Sequence, residues 1–583
     1  MRHSNEPRVT HTLVGTLQRD GLLALIYLLI TALTSANFMG DTLYYADSVL
    51  GMASGRITPS VWDVRGNYSF FEFGHLLWRP VGCALYLLTG ALARRLYAGD
   101  ARNAAIFVLV VANWVAGLAC VLLLRRVLMY VARREWVIIV ASVGFICTYG
   151  FLNFTQSGSS YVPALALYLA GLLIMLRAGE HIEHAWRAAL AAGAALACAV
   201  CLWFLYVWAV PVALAAPLVL FGDDVRRRRL FIYGALVSGG ITMLLYASVI
   251  LLGLHIHELA TLKAWVASSG HGLDNNRGLL QVGFGLARTF LSVGHDNVLF
   301  KRFLLHDPYN PVSAFDLFRL SLWKLILFYL AVTATLVLLL RADAHGRRVL
   351  VLLLLGAAPI LLFAALWQGT PPERYLPLYP CAFIALACAL DAERRQIALK
   401  LIVLGFIATL VCVNVSALSN WTLGRQQSEM TARTAALVPL LTRQSVVVEV
   451  KEELKDLQWE FPFHPLNRVL TVYSAVSIGD EATSRWREDF AAKTLETWRA
   501  GGDVWLSRRM LEPRPRAASY WVEGSDPGIT WAQVRAFFNG FERGQEVGGA
   551  DGFVLLARTP QNERLLNDIA GGLIKTPPPG NKP

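Results

Sequence analysis

Residues 104–124, AAIFVLVVANWVAGLACVLLL, run for 21 positions without a charge and stop at Arg125-Arg126. At about 1.5 Å per residue, such a helix spans the ~30 Å hydrocarbon core of a bilayer. It is one of a series. Comparable apolar blocks cover 21–38, 136–154, 161–176, 188–204, 205–221, 230–254, 325–340, 349–367, 375–390 and 399–419. A shorter one, 81–93, is bounded by Arg79-Pro80 and Arg94-Arg95. Across all 583 residues, 55% are apolar and 16% charged, against about a quarter charged in soluble domains, which excludes an ordinary soluble enzyme. The pattern predicts a polytopic α-helical membrane protein whose solvent is the lipid bilayer.

The net charge of +12 does not indicate a nucleic-acid partner, because the arginines cluster at the ends of apolar blocks: Arg125-Arg126, Arg226 to Arg229, Arg394-Arg395. There they act as topology signals. The basic linkers 125–135, 177–187, 222–229, 341–348 and 391–400, with Arg2, Arg8 and Arg19, are expected in the cytoplasm. Starting inside, the chain returns to 125–135 only if 81–93 is re-entrant or if this stretch hides three spans. The first case gives about eleven crossings, the second thirteen, and both leave the C-terminus outside a plasma (inner) membrane. Loops 38–80, 151–160, 255–324 and 367–375 then share the outer face with the C-terminal domain. Long loops in a compact architecture are usually functional, so a chemical site is expected on that face. The first apolar block has no small-residue cleavage site and runs into Met39-Gly40-Asp41, so no cleavable signal peptide is expected. All eight cysteines lie in or beside apolar blocks, which does not indicate a disulfide framework; Cys198 and Cys201 read as helix packing.

The organisation expected is a membrane domain over 1–419, a soluble α/β domain over 420–570 and a disordered tail over 571–583, where Thr576-Pro-Pro-Pro-Gly580 falls. Within 420–570, strands are expected at 445–450, 468–473, 504–506 and 552–556. Helices are expected at 480–500, capped by Asp480 and ended by Gly501-Gly502, and at 531–539. This domain carries no phosphate loop, metal cluster or nucleophile motif, and its side of the membrane suits acceptor recognition.

Candidate chemistry lies in the outer loops. Asp41 follows the first span in Gly40-Asp-Thr-Leu-Tyr-Tyr-Ala-Asp47, where it reads either as a base at the membrane surface or as the cap of an interfacial helix. Asp47 lies six positions on, off Asp41's helical face. Glu72 and His75 have the three-residue spacing at which helical side chains meet, which fits a hydrogen bond better than a metal site built on two ligands. Arg79, before Pro80, reads as a phosphate ligand or as a snorkelling side chain. The pairs His295-Asp296 and His306-Asp307, with His271 and Asp274, fit no metal spacing. In Trp367-Gln-Gly-Thr-Pro-Pro-Glu-Arg-Tyr-Leu-Pro377, Arg374 and Tyr375 open a span where arginine finds few partners other than phosphate, carboxylate or water.

Together these pieces resemble the polyprenyl-phosphate-sugar-dependent glycosyltransferases of the GT-C fold, which include the protein O-mannosyltransferases and the lipid A aminoarabinose transferases. Asp41-x-x-x-Tyr45-Ala46-Asp47 resembles the family's D-E-x-x-Y-A-E motif, with Thr42 in place of the second acid. Trp78-Arg79-Pro80 looks like its basic-residue–proline step, and Arg374-Tyr375-Leu376-Pro377 like its late R-Y-x-x-P element. The resemblance implies a GT-C-like fold and an inverting transfer from a polyprenyl-phosphate sugar donor to an extracytoplasmic lipid, glycan or protein. Asp41, with Asp47, would be catalytic. Arg79, Arg374 and Tyr375 would bind the donor phosphate, and Tyr45, Glu72 and His75 would assist; Asp47 or Glu72 is the expected substitute for the second acid. No metal ligands are assigned and no cofactor is required, although a divalent cation is compatible. Two other classes stand beside this reading: a lipid-linked-sugar flippase or transporter, and a glycan polymerase or ligase using a pyrophosphate-linked donor. A structural assembly subunit would leave the long outer loops unexplained.

Overall fold

The computed structural model describes residues 13–37, 40–62, 69–180, 185–269, 278–294, 298–392, 396–423, 432–442, 444–449, 469–471, 482–516, 521–524 and 529–571. The chain forms two compact units, one of 1–293 and 324–420, the other of 294–323 and 421–583.

The first unit opens with α1 (Leu13–Leu33), α2 (Gly40–Ala53), α3 (Trp78–Leu96), α4 (Ala101–Leu128) and α5 (Glu135–Ile146). It continues with α6 (Tyr161–Glu180), α7 (Ala185–Leu202), α8 (Phe204–Phe221), α9 (Val225–Gly253) and α10 (Leu279–Phe290). It ends with α11 (Ala314–Arg341), whose first residues belong to the other unit, and α12 (Ala344–Leu366), α13 (Tyr379–Asp391) and α14 (Ile397–Ala417). Eight of these, α4, α6 to α9, α11, α12 and α14, are long and apolar enough to cross a membrane. The protein is therefore a multi-pass helical membrane protein. Exposed leucines and other large apolar side chains on these helices (Leu236, Met243, Leu252, Leu354 and Leu362 among them) face outward, as lipid-facing surface does.

Ion pairs sort the helix ends onto two faces. Arg125, at the end of α4, is completely buried between Asp20 of α1 at 2.7 Å and Glu135 of α5 at 2.8 Å. The amides of Arg133 and Arg134 donate to Asp391, which closes α13. Those four ends share the basic face. On the opposite face, the Ser35 amide after α1 donates to the Leu418 carbonyl after α14, at 2.8 Å. There too, Asp47 of α2 meets Arg102 at the start of α4 through two bonds of 2.9 and 3.0 Å.

The block 81–93 forms part of a 19-residue helix, α3, because its bounding residues are helical too: Arg79 and Pro80 occupy the first turn and Arg94-Arg95 the last. Both ends of α3 adjoin α2. The Trp78 indole donates to the Gly158 carbonyl, whose amide in turn donates to Thr42, while the turn after α3 leads to the Arg102–Asp47 pair. Helix α3 thus begins and ends on one face, and its exposed Leu87, Leu88, Leu92 and Leu96 suit an interfacial position. The block 136–154 is not continuous: α5 stops at Cys147 and a six-residue helix, Tyr149–Phe154, follows. The Asn414 amide of α14 donates to the Cys147 carbonyl at 2.7 Å, satisfying a backbone group that the break exposes away from water.

The second unit holds a five-stranded sheet in the order β2-β1-β3-β5-β4, from β1 (Val446–Glu449), β2 (Val469–Thr471), β3 (Val504–Ser507), β4 (Arg543–Val547) and β5 (Phe553–Leu556). The strands β2, β1 and β3 are parallel; β5 and β4 add antiparallel pairs. Helices α15 (Ala482–Arg499), α16 (Trp531–Asn539) and α17 (Pro560–Ala570) complete a small α/β fold. Its core joins Val446, Val448, Trp486, Phe490, Leu506 and Phe538. Strand β4 was not expected, since its exposed polar residues carry no alternation. The segment 294–323, assigned to a membrane-domain loop by sequence, belongs to this unit instead: Tyr309 packs on the core and Asn310 donates to the Pro515 carbonyl at 3.1 Å. Asp480 and the run 576–580 lie outside the described residues.

Arg125 gives the fold its first test. Removing one partner of a buried charge cluster costs about 3–5 kcal/mol, so Arg125→Ala should lower the detergent-solubilised protein's unfolding temperature markedly. Arg125→Met combined with Glu135→Leu and Asp20→Asn should recover most of the loss, and an unchanged melting curve for Arg125→Ala would contradict the arrangement.

Candidate active site

Helix α2 begins at Gly40, so Asp41 stands in its first turn, where unpaired amides favour a negative charge. Its carboxylate also meets a distant partner: the hydroxyl of Tyr161, first residue of α6, donates to Oδ2 at 2.5 Å. Tyr161 is held by Trp203, Phe154 and His75, with ring centroids 4.6, 5.1 and 5.7 Å away. Asp41 is half-buried, and its Oδ1 has no protein partner among the described residues.

Glu72, His75 and Arg79 form a buried layer beside it. Arg79 donates to Glu72 at 2.8 Å and to the Ser69 carbonyl at 2.7 Å, and both charged side chains are 1% exposed. Its guanidinium lies over the Tyr45 ring, 5.6 Å from the centroid. Arg79's charge is thus paired with Glu72 within the protein. The Glu72–His75 bond expected from their spacing does not form. His75 Nδ1 instead lies 2.6 Å from Ser160 Oγ and 3.3 Å from the Leu202 carbonyl, and its ring meets Tyr45 edge-on at 5.9 Å. Asp47 pairs with Arg102.

Arg374 and Tyr375 lie in a 3-10 turn, Pro372–Leu378, between α12 and α13. Tyr375 is fully buried and its hydroxyl donates to the Gly369 carbonyl at 2.5 Å, with Val282 O at 3.3 Å. It anchors the turn. The anchoring needs a close backbone approach, because a Cβ at Gly285 would fall on the Gly369 carbonyl oxygen. Arg374 donates to Gln368 at 3.0 Å, its Nε has no partner, and no carboxylate pairs with it among the described residues.

These groups converge. Burial lowers the His75 pKa from its ordinary value; Glu72, Asp41 and the Leu202 carbonyl oppose that shift, and Arg374 reinforces it. Burial holds the Tyr45 hydroxyl well above its usual range, with Glu72 and Asp41 pushing the same way and Arg79 and Arg374 against. Burial raises the Glu373 carboxyl; Arg374 opposes, Asp41's charge adds to the rise, and Arg288 of α10 also opposes. Residues from α2, the 72–79 segment, α6 and the 372–378 turn therefore share one electrostatic neighbourhood. Tyr161 and Glu373 were not singled out from sequence. The polar run Ser157-Gly-Ser-Ser-Tyr161 entering a span was the available signal for the first, and adjacency to Arg374 for the second.

Other expectations fall elsewhere. His271, Asp274, His295 and Asp296 lie outside the described residues. Asp307 is buried against Arg302 and accepts the Tyr309 amide, a structural arrangement. Among the described residues no three His, Cys, Asp or Glu side chains come together as metal ligands. An apolar groove along α8 and α9, lined by Val207, Pro211, Leu214, Phe231 and Met243, holds no titratable group.

No protein-family model matches the sequence, and no curated protein sequence does. Among solved structures, ArnT from Cupriavidus metallidurans in the apo state is similar at 14% identity and a TM-score of 0.48, over 85% of this chain and 93% of that one. An oligosaccharyltransferase from Archaeoglobus fulgidus, tethered to an acceptor peptide, is similar at 13% identity and a TM-score of 0.49, over 94% and 74%. The arabinofuranosyltransferase AftD from Mycobacteria is similar at 14% identity and 0.42, over 91% and 37%. What this chain does has to be read from its own side chains.

The depressed His75 pKa has a signed consequence. The unfolded chain binds a proton near pH 6.5 that the folded site resists, so His75's contribution is complete above about pH 6.5 and is lost as pH falls below it. His75→Gln should unfold at more nearly equal temperatures at pH 7.5 and 5.5 (about one unit either side of that value) than the wild type does. Equal acid sensitivity in both would show that His75 is not held neutral.

Proposed function

We propose that the chain is an inverting glycosyltransferase that moves a sugar from a polyprenyl-phosphate donor to an acceptor hydroxyl. The site lies on the face opposite the basic linkers, which the positive-inside rule makes extracytoplasmic, with the N-terminus in the cytoplasm. One observation carries the reading: Asp41, whose Oδ1 has no partner among the described residues, and Arg374, which has no carboxylate among them, both act electrostatically on His75 although they stand far apart in sequence.

The chemistry follows from those two groups. Asp41 Oδ1 takes the proton of the acceptor hydroxyl while Tyr161 holds Oδ2. The acceptor oxygen attacks the anomeric carbon from the side opposite the phosphate. The bond from that carbon to the phosphate oxygen breaks, and its electron pair leaves on the polyprenyl phosphate. The leaving group gains charge as the bond breaks, so a fixed cation lowers the barrier more than a proton donor would, and Arg374 supplies it. A planar guanidinium also suits two phosphate oxygens at once. Arg79 supports this site through Glu72, Tyr45 and the His75 layer.

Purified protein in vesicles, given polyprenyl-phosphate sugars and candidate acceptors, tests the reading. Asp41→Asn should reduce transfer by about 100-fold or more at unchanged membrane levels. Arg374→Gln should reduce it by about 100-fold, and Arg374→Lys by less, since an ammonium keeps the charge without the fork. Full activity in Asp41→Asn ends the mechanism. Movement of the lipid-linked sugar between leaflets without an acceptor, in wild type and Asp41→Asn alike, would establish the flippase alternative instead.

A further inference from the structure

Sorting the charges of the site by partner leaves a short remainder. Glu72 is closed by Arg79 and Asp47 by Arg102. Asp41 keeps one oxygen free and Arg374 its charge. The third open group is Glu373. It is half-buried, and apart from its own amide its carboxyl has no hydrogen-bond or ion-pair partner among the described residues. A half-buried carboxyl without a protein partner keeps its oxygens open to a ligand that enters the site.

Resting on the reading above, we infer that Glu373 is the residue that reads the donor's sugar, accepting hydrogen bonds from its ring hydroxyls while Arg374 holds the phosphate to which that sugar is attached. The placement follows from the turn. Residues 373 and 374 are consecutive, about 3.8 Å apart at Cα, on a 3-10 segment whose successive side chains diverge by about a third of a turn. A glycosyl phosphate presents the same arrangement, an anion and, one bridging oxygen away, a ring of hydroxyls. The segment is also rigid. Tyr375 bonds back to Gly369, and the Gly285–Gly369 approach leaves no room for the turn to slide along α10.

Glu373 is suited to hydroxyl recognition rather than to base catalysis. Asp41 already holds the base position, fixed by Tyr161. Burial and Asp41's charge act against ionisation of Glu373 while Arg374 and Arg288 favour it, and its carboxyl oxygens can accept from neighbouring hydroxyls. A site that hydrogen-bonds a sugar hydroxyl discriminates strongly against ligands that lack it, so Glu373 would set donor choice.

Binding of two kinds of lipid to the full-length protein in nanodiscs separates the roles: bare polyprenyl phosphate, and its glucosyl, mannosyl and arabinosyl esters. The wild type should bind at least one ester about tenfold more tightly than the bare phosphate, the value of one or two well-placed hydrogen bonds. Glu373→Gln should bind the bare phosphate within about twofold of wild type and lose most of the ester's advantage, whereas Arg374→Gln should weaken both lipids by about tenfold. The inference is overturned if Glu373→Gln weakens both lipids equally, if it keeps the full preference for the ester, or if the wild type shows no preference. A wild type that binds neither lipid overturns the donor reading itself, a result separable from those three.

Discussion

A charge taken out of water inside a helical membrane protein has to meet its opposite or be given one, and this requirement organises the membrane unit. Arg125 binds α1 and α5 to the end of α4 by standing between Asp20 and Glu135. Arg102 does the same for α2 through Asp47, and Arg79 ties the segment before α3 to the α3 helix through Glu72. Buried pairs of this kind add little net stability compared with apolar packing, but breaking one is expensive, so they set which ends can meet. The pairs therefore act as registration points between helices whose remaining contacts, leucine against leucine, discriminate poorly. They also make the exception informative. Arg374 is held differently, by an amide oxygen of Gln368 and with no carboxylate among the described residues.

The same requirement separates two roles that one aspartate could play. A first-turn aspartate normally satisfies the amides of its own helix. Asp41 sits where that would be expected, yet its Oδ2 accepts from a tyrosine 120 positions later, buried among three aromatic rings. A cap needs no such partner. The proposed base gains from one, because a carboxylate that presents one oxygen at a defined angle is helped by having the other immobilised.

Much of the fold was legible because membrane spans are written in a coarse code of length and charge. The 21-residue run at 104–124 sits inside α4, and the composition change near Asn420 coincides with a unit boundary. Strands with alternating or continuous apolar residues, such as Val446–Glu449 and Phe553–Leu556, were visible for the same reason. Three features were not. Strand β4 is almost wholly exposed, so burial leaves no mark on its sequence. The assignment of 294–323 to the second unit depends on Tyr309 and Asn310 reaching partners some two hundred residues away. The pairing of Glu72 with Arg79, rather than with His75, depends on a bend at 72–77 that brings residues seven apart together; helical spacing pointed to the wrong neighbour. Local pattern thus located the candidate side chains, while tertiary charge pairing decided which of them were free.

The departure at position 42 can be understood in these terms. Where the resembling motif has a second acid, this chain has Thr42, fully buried, with its hydroxyl accepting the Gly158 amide at 2.8 Å. The space beside it is closed, since a Cβ on Gly158 would collide with the threonine methyl. A glutamate in that position would be longer by two heavy atoms and would carry a charge into a region where the nearest cations are already paired with Glu72 and Asp47. It would have to displace one of those pairs or remain unmatched, and either is costly. A second carboxyl group in this site therefore has to enter from another direction. The 372–378 turn carries one in Glu373, next to Arg374 and within the field of Asp41.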